Sequence, residues 1–150
     1  LIITILIVIP LFYSMRSNSI NKAKTKEIMK NFSQNNRFNF EKTETQNKKV
    51  LALDKKNKGF LLIDFNSKEK EVVNFIDLNT VDSCKLAITA EGNSNTIEKI
   101  DFEFLHKKDK KIETIPFYKI ENDQMGQVCL HEDHQLAKKW REILQDCISS

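Results

Sequence analysis

Glycine, proline and cysteine are scarce in this 150-residue chain, which contains three glycines, two prolines and three cysteines. Because glycine and proline are two of the main turn-forming residues, most turns here must rely on Asn, Asp, Ser and Lys. An odd number of cysteines without regular spacing does not predict a disulfide framework. Low cysteine usage of this kind fits a reducing compartment. The three cysteines are Cys84, Cys129 and Cys147.

The chain also lacks the short motifs that identify common enzyme classes. No GxSxG motif, phosphate-binding P-loop or GxGxxG motif occurs in the sequence. Cys84 lies on the apolar phase of a predicted strand and Cys147 on the apolar face of a predicted helix, so both are interpreted as small core residues. His106, at the end of a strand, is interpreted as an exposed polar residue. We therefore predict a protein that is not an enzyme and that uses no cofactor.

Positive charge is concentrated in one part of the chain. The net charge is +3, but residues 16–37 contain six basic residues and only one acidic residue. Residues 41–150 contain 18 basic and 20 acidic residues. Such a balanced domain does not predict nucleic-acid binding.

The first stretch, Leu1–Tyr13, is an uncharged apolar run interrupted only by Thr4. A membrane-spanning helix needs about 20 apolar residues. Because the chain opens on Leu1 rather than Met, we expect further apolar residues upstream, and residues 1–15 are predicted to be a transmembrane anchor. The alternatives are the apolar core of a cleaved signal peptide and a buried core helix.

The basic residues after this run predict its orientation. Lys and Arg next to a span favour the cytoplasmic side, so we expect a single-pass cell-membrane protein with a cytoplasmic C-terminal domain. Residues 16–36 are interpreted as a basic linker with a short helix around Lys22–Phe32. Lysines near a membrane also bind anionic lipid headgroups, and the alternative is that they only set the topology. The candidate lipid-binding lysines of the linker are Lys22, Lys24, Lys26 and Lys30.

From Arg37 onward the apolar residues recur at alternate positions, which is typical of β-strands. The run Phe60–Phe65 is apolar on both faces and is expected to be well buried. Pro116 places the last strand at a sheet edge or marks its end. Seven strands with short loops predict an antiparallel sandwich or barrel. The predicted strands lie near residues 38–45, 50–53, 60–65, 72–78, 84–89, 100–104 and 112–118.

The end of the chain predicts one amphipathic helix. Apolar residues recur there at three- and four-residue spacing, and charged residues occupy the opposite face. Glu132 and Asp133 suit the positive end of the helix dipole. We expect this helix to cover the sheet or to close one end of a barrel, with Trp140 as its central anchor. Its apolar positions are Leu136, Trp140, Ile143, Leu144, Cys147 and Ile148.

Seven short antiparallel strands followed by one amphipathic helix resemble the bacterial pleckstrin-homology-like (PH-like) domain superfamily. The similar stretches are residues 50–63, 74–86 and 137–144. The resemblance implies a PH-like barrel over residues 37–150 and a binding or scaffolding role. Some members bind phosphoinositides through the first hairpin loop, a position that Lys55, Lys56 and Lys58 occupy in this chain. The alternative for these lysines is a solvated turn.

One short segment combines several types of metal ligand. Cys129, His131 and His134 bring three candidate zinc ligands together within six residues. The sequence contains no second cluster of this kind, and polar residues are common at the start of a helix. A small metal-dependent enzyme is therefore the third functional hypothesis.

The leading hypothesis is a membrane-tethered, non-enzymatic binding or scaffolding module. A partner protein would bind an apolar patch or an open sheet edge. The second hypothesis is a peripheral sensor of anionic lipids that uses the lysines of the linker and of the hairpin loop.

Overall fold

The computed structural model describes residues 22–33, 38–66, 70–90, 97–120 and 130–150. The chain divides into two units, Leu1–Phe38 and Asn39–Ser150. In the first unit, residues 22–33 form a helix, α1. This confirms the short helix predicted around Lys22–Phe32.

The prediction of a single-pass membrane protein is corrected at this point. No helix among the described residues is long and apolar enough to cross a membrane. The predicted anchor, residues 1–15, lies outside the described residues. Anchoring in the cell membrane and the cytoplasmic orientation inferred from it are therefore not supported.

The described residues of the unit Asn39–Ser150 include seven strands, a short 3₁₀ helix and a C-terminal α-helix. All strand pairs are antiparallel. Each predicted strand has a counterpart, although the first begins at Lys42 rather than at Phe38. The elements are β1 (Lys42–Gln46), β2 (Lys49–Asp54), β3 (Gly59–Asp64), β4 (Val72–Asp77), the 3₁₀ helix (Leu78–Thr80), β5 (Val81–Ala90), β6 (Ile97–His106), β7 (Ile112–Lys119) and α2 (Leu130–Ser149).

These strands form two sheets, so the predicted closed PH-like barrel is wrong. One sheet has the order β1-β2-β3-β4 and the other β5-β6-β7. The 3₁₀ helix separates β4 from β5, and the Asp77 side chain caps it by accepting the N–H of Asn79. Because no ladder joins the two sheets within the described residues, β1, β4, β5 and β7 are edge strands. The coarser prediction, a mainly β fold with one C-terminal helix, is confirmed.

A two-residue turn joins β1 to β2. Asn47 and Lys48 have positive φ angles of 49° and 63°, and positive φ at both central residues is typical of the type I′ hairpin turn. The turn fixes the register of the hairpin, with Gln46 opposite Lys49.

The core lies between the inner faces of the two sheets and α2. Trp140 is fully buried, and its ring centroid lies 6.0 Å from that of Phe60. Phe60 also packs edge-on against Phe102 with a centroid distance of 6.0 Å. Aromatic pairs of this kind add about 0.5–1.5 kcal/mol beyond the burial of their area. Trp140 is therefore the central anchor of the helix, as predicted.

The two central strands of the four-stranded sheet are buried on both faces. Phe60 and Leu62 point into the core, whereas Leu61 and Ile63 alternate with them on the outer face, and all four are at most 1% exposed. This confirms the expected burial of the run Phe60–Phe65 over residues 60–63. These two strands offer no solvent-exposed apolar patch, so the accessible features lie at sheet edges and loops.

Candidate binding surfaces of the three-stranded sheet

Strand β5 is an edge strand whose first half is bonded by side chains of α2. The Cys84 N–H donates to Gln145 Oε1 at 3.0 Å, and Arg141 Nε donates to the Cys84 carbonyl at 3.2 Å. The backbone of Cys84 therefore points away from β6 and towards α2. Together the two side chains give Cys84 the hydrogen bonds that a neighbouring strand would supply.

Farther along β5 the outward backbone groups have no such partners. The register between β5 and β6 is regular from Ser83 to Thr89, and backbone direction alternates along an antiparallel strand. The backbone N–H and C=O groups of Leu86 and Ile88 therefore point away from β6, like those of Cys84. Within the described part of the chain, no residue bonds the outward N–H or C=O of either one. Ile88 is 46% exposed and Leu86 is half-buried, so the edge is accessible to solvent at Ile88.

A cleft of about 740 Å³ lies at the opposite end of the same sheet, where the β6–β7 hairpin loop meets the 3₁₀ helix. The Lys107 N–H donates to the Thr80 carbonyl at 2.9 Å and holds the two segments together. The cleft is lined by Asn79, Thr80, His106, Lys107, Lys108, Asp109, Lys111, Ile112 and Glu113.

His106 connects two walls of this cleft. Its Nδ1 lies 3.5 Å from Thr80 Oγ1, and its Nε2 lies 3.1 Å from Glu113 Oε1. Hydroxyl, imidazole and carboxylate are the groups of a catalytic triad, but the Thr80 hydroxyl donates its proton to the Asp77 carbonyl at 2.8 Å. The Thr80 hydroxyl therefore donates no hydrogen bond to His106. The arrangement lacks the hydrogen bond between nucleophile and base that nucleophilic catalysis needs.

The hairpin loop next to His106 is basic. Lys110 pairs with Asp82 at 3.5 Å, whereas Lys107, Lys108 and Lys111 have no ion-pair partner in the part of the chain that the structure describes. The carboxylate of Asp109 accepts the backbone N–H of Lys111 at 3.0 Å. With four lysines and one aspartate in residues 107–111, the loop presents a net positive charge at the mouth of the cleft.

The predicted core cysteines are buried, as expected. Burial raises the pKa of the Cys84 thiol to about 12, although the positive charge of Arg141 opposes the shift. Burial also raises the pKa of Cys147, against the positive charges of Lys58 and Lys55. Because the thiolate is the reactive form of cysteine, neither thiol is prepared for nucleophilic chemistry at neutral pH.

The predicted lipid-binding lysines belong to the two different units. Lys22, Lys24, Lys26 and Lys30 lie on α1, where Lys24 is 3.9 Å from Glu27. Lys55, Lys56 and Lys58 lie in the turn between β2 and β3, and Lys58 Nζ donates to the Ser150 carbonyl at 2.7 Å. Buried Asp54 organises this turn by accepting hydrogen bonds from Asn57. Lipid binding by these residues stays a prediction.

The predicted metal ligands are only partly described. Cys129 lies outside the described residues, and His131 and His134 lie in the first turns of α2. Burial lowers the pKa of His134, and the nearby charges of Lys138 and His131 lower it further. No group of three metal-ligating side chains converges among the described residues.

Several features of these surfaces could not be found from sequence patterns. His106 is only 25% exposed in its side chain and joins two elements, whereas it was predicted to be an exposed polar residue. The sequence pattern places Arg141 only on the charged face of the helix and predicts no role for Gln145. The alternation of backbone direction along β5 places Leu86 and Ile88 at an open edge. This alternation can be applied only when the order of the strands in the sheet is known.

Comparison of the chain with known protein families, curated proteins and solved structures finds no match. The similarity to PH-like domains therefore stays a prediction based on residue patterns.

Proposed function

We propose that this chain is a non-enzymatic binding module that receives an extended segment of a partner protein at the open edge of β5. The observation that supports the proposal is the pair of outward-facing residues Leu86 and Ile88, whose backbone groups have no partner among the described residues. An exposed strand edge is a template for another strand, and several binding domains use it in this way.

Backbone pairing at the β5 edge contributes little binding free energy, and selectivity comes from the Ile88 side chain. Leu86 and Ile88 together offer two N–H donors and two C=O acceptors, each worth about 0.5–1.5 kcal/mol net when paired. Backbone pairing alone therefore gives weak binding. The exposed Ile88 side chain supplies the apolar contact that distinguishes one peptide from another, because alternate side chains of an added strand face it.

The experiment begins with the selection of displayed random peptides of about 12 residues, a length that covers one strand, on the 150-residue chain. We expect a selected peptide to slow amide hydrogen exchange at Leu86 and Ile88. Lys85 and Ala87, which face β6, serve as internal references because their amides are already bonded.

The decisive variant is Ile88→Pro, because it removes an N–H that faces outward and leaves the pairing with β6 intact. Ile88→Val is the matched control, since it keeps the N–H and most of the apolar surface. Loss of peptide binding in Ile88→Pro but not in Ile88→Val supports the proposal. Selected peptides that bind both variants equally, or that leave the exchange of Leu86 and Ile88 unchanged, would overturn it.

A further inference from the structure

The second edge of the three-stranded sheet, β7, has a different chemistry from β5. The His106 N–H donates to the Lys111 carbonyl at 2.9 Å, so this pair is bonded across the hairpin. The register from Leu105–Ile112 to Asp101–Pro116 is regular, and bonded pairs alternate with unbonded pairs. Ile112, Thr114 and Pro116 therefore direct their backbone away from β6.

The open part of the β7 edge is short and ends at Pro116. Proline has no N–H, so Pro116 offers no donor at the third outward position. Ile112 and Thr114 remain, and no described residue accepts from or donates to their outward groups. Ile112 is 60% exposed, more than any other large hydrophobic residue that the structure describes. The edge therefore offers room for a short extended segment with an apolar contact.

Positive charge is fixed at one end of this edge. The loop immediately before Ile112 carries Lys107, Lys108 and Lys111, which have no ion-pair partners within the described ranges. Asp109 and Glu113 also carry negative charge here, but neither forms an ion pair with these lysines within the described ranges, and the four lysines of residues 107–113 outnumber the two acids. The cleft in front of these lysines is lined partly by Ile112, so the apolar contact and the basic loop adjoin.

We propose that the β7 edge and the basic hairpin loop form a second docking surface, for a short extended peptide that is acidic at its C-terminal end. Strand β7 runs away from the loop, so a peptide that pairs antiparallel with it runs towards the loop. Its last residues then lie beside Lys107, Lys108 and Lys111. The negative charge comes from acidic side chains or from a free C-terminal carboxylate, which share the same chemistry.

The test measures fluorescence anisotropy of labelled peptides of about eight residues, a strand-length probe, mixed with the 150-residue chain. The first probe alternates Thr and Val, ends in Asp-Glu and is amidated at its C-terminus. The second probe ends in Lys-Lys and is also amidated, and the third lacks acidic side chains but has a free carboxylate. We expect the amidated Lys-Lys probe to bind at least about tenfold more weakly than the acidic probe, because complementary charge selects the partner.

Two pairs of variants separate charge from strand pairing. Lys107→Glu/Lys111→Glu should weaken the acidic probe about tenfold, whereas Lys56→Glu/Lys138→Glu makes the same change of charge elsewhere and should leave binding unchanged. Thr114→Pro should weaken it about fivefold, because one outward donor is lost. Thr114→Val keeps that donor and should bind normally. The fold already accepts proline at the equivalent outward position 116.

Equal binding of the acidic and Lys-Lys probes would overturn the inference, as would failure of the acidic probe and the free-carboxylate probe to bind. A loss of binding in the lysine variant without any loss in Thr114→Pro would show a charged surface without strand pairing, which also contradicts it. If Ile88→Pro abolishes binding of the acidic probe and Thr114→Pro does not, the peptide occupies β5. In that case this inference fails and the proposed function stands.

Discussion

Lys49 of β2 and Asp133 of α2 form an ion pair from which solvent is almost excluded, with side-chain exposures of 6% and 0%. Asp133 also accepts hydrogen bonds from Asn47 at 2.8 Å and from Gln46 at 3.3 Å. The Lys49 ammonium lies 5.2 Å from the ring centroid of Phe117. This network connects the β1–β2 turn to the first turns of α2, so it fixes the helix against the hairpin.

Removal of Asp133 should destabilise the protein strongly. Asp133→Ala leaves the Lys49 charge buried without its partner, and we expect a loss of about 3–5 kcal/mol in the free energy of unfolding. The double variant Lys49→Met/Asp133→Leu removes both charges and should lose much less. Urea unfolding followed by Trp140 fluorescence measures both values. A cost below about 1 kcal/mol for Asp133→Ala would show that the pair contributes little, as exposed pairs do.

This network also shows which features of the fold cannot be predicted from local sequence patterns. Alternating apolar residues and short continuous apolar runs located the seven described strands, because burial of one strand face or of both imposes these patterns locally. The pairing of Lys49 with Asp133 joins positions 84 residues apart, and no local pattern records such a pair. Closure of a barrel likewise depends on whether distant edge strands pair, so the separation into two sheets could not be read from periodicity.

The candidate sites were predictable to a smaller extent. Pro116 predicted either an edge position or the end of the last strand, because proline has no N–H to donate, and the first alternative is confirmed, since β7 is an edge strand that continues to Lys119. The open segment of β5 depends on which residues face β6 and on the position of α2. Both are consequences of tertiary structure, so only the general expectation of a partner at a sheet edge came from the sequence.

The contribution of Glu44 to stability should disappear in acid. Burial raises the pKa of Glu44, but hydrogen bonds from Trp140 Nε1 at 2.9 Å and from Lys139 outweigh this effect, so the pKa lies below the ordinary value of 4.5. A carboxyl with a lowered folded-state pKa stabilises the fold above its unfolded pKa and loses that contribution as the pH falls through the folded pKa. Glu44→Gln should therefore be less stable than the parent protein at pH 7, and the difference should shrink below about pH 4.5.

Thermal unfolding of both proteins between neutral pH and pH 3 checks this expectation. Glu142→Gln is the matched control, because Glu142 is exposed on α2, the helix that carries Trp140 and Lys139, and lies away from the positive end of that helix. A stability difference between Glu44→Gln and the parent that stays constant with pH would mean that the carboxylate charge does not matter at this position.

Cys84 and Cys147 should react more slowly with alkylating reagents than an exposed cysteine does. Because burial raises the pKa of Cys84 to about 12, we expect iodoacetamide to modify Cys84 only after unfolding. Cys147, whose pKa is also raised, should react slowly. Peptide mass mapping after timed alkylation in buffer and in urea separates the sites. Modification of native Cys84 at the rate seen in urea would show that β5 and α2 open far more often than this packing implies.

Gln145 and Arg141 should protect the first half of β5 from pairing with other chains. Gln145→Ala removes the acceptor for the Cys84 N–H, and the loss of this partly buried hydrogen bond should cost about 0.5–1.5 kcal/mol. The double variant Arg141→Ala/Gln145→Ala exposes a third outward residue next to Leu86 and Ile88, and an exposed longer edge favours association between chains. Sedimentation velocity should then show concentration-dependent dimers that Ile88→Pro suppresses.

Gln145→Glu keeps an acceptor oxygen and should behave like the parent protein. Unchanged amide exchange at Cys84 in the double variant would contradict the protective role, because the outward N–H would then have another source of protection.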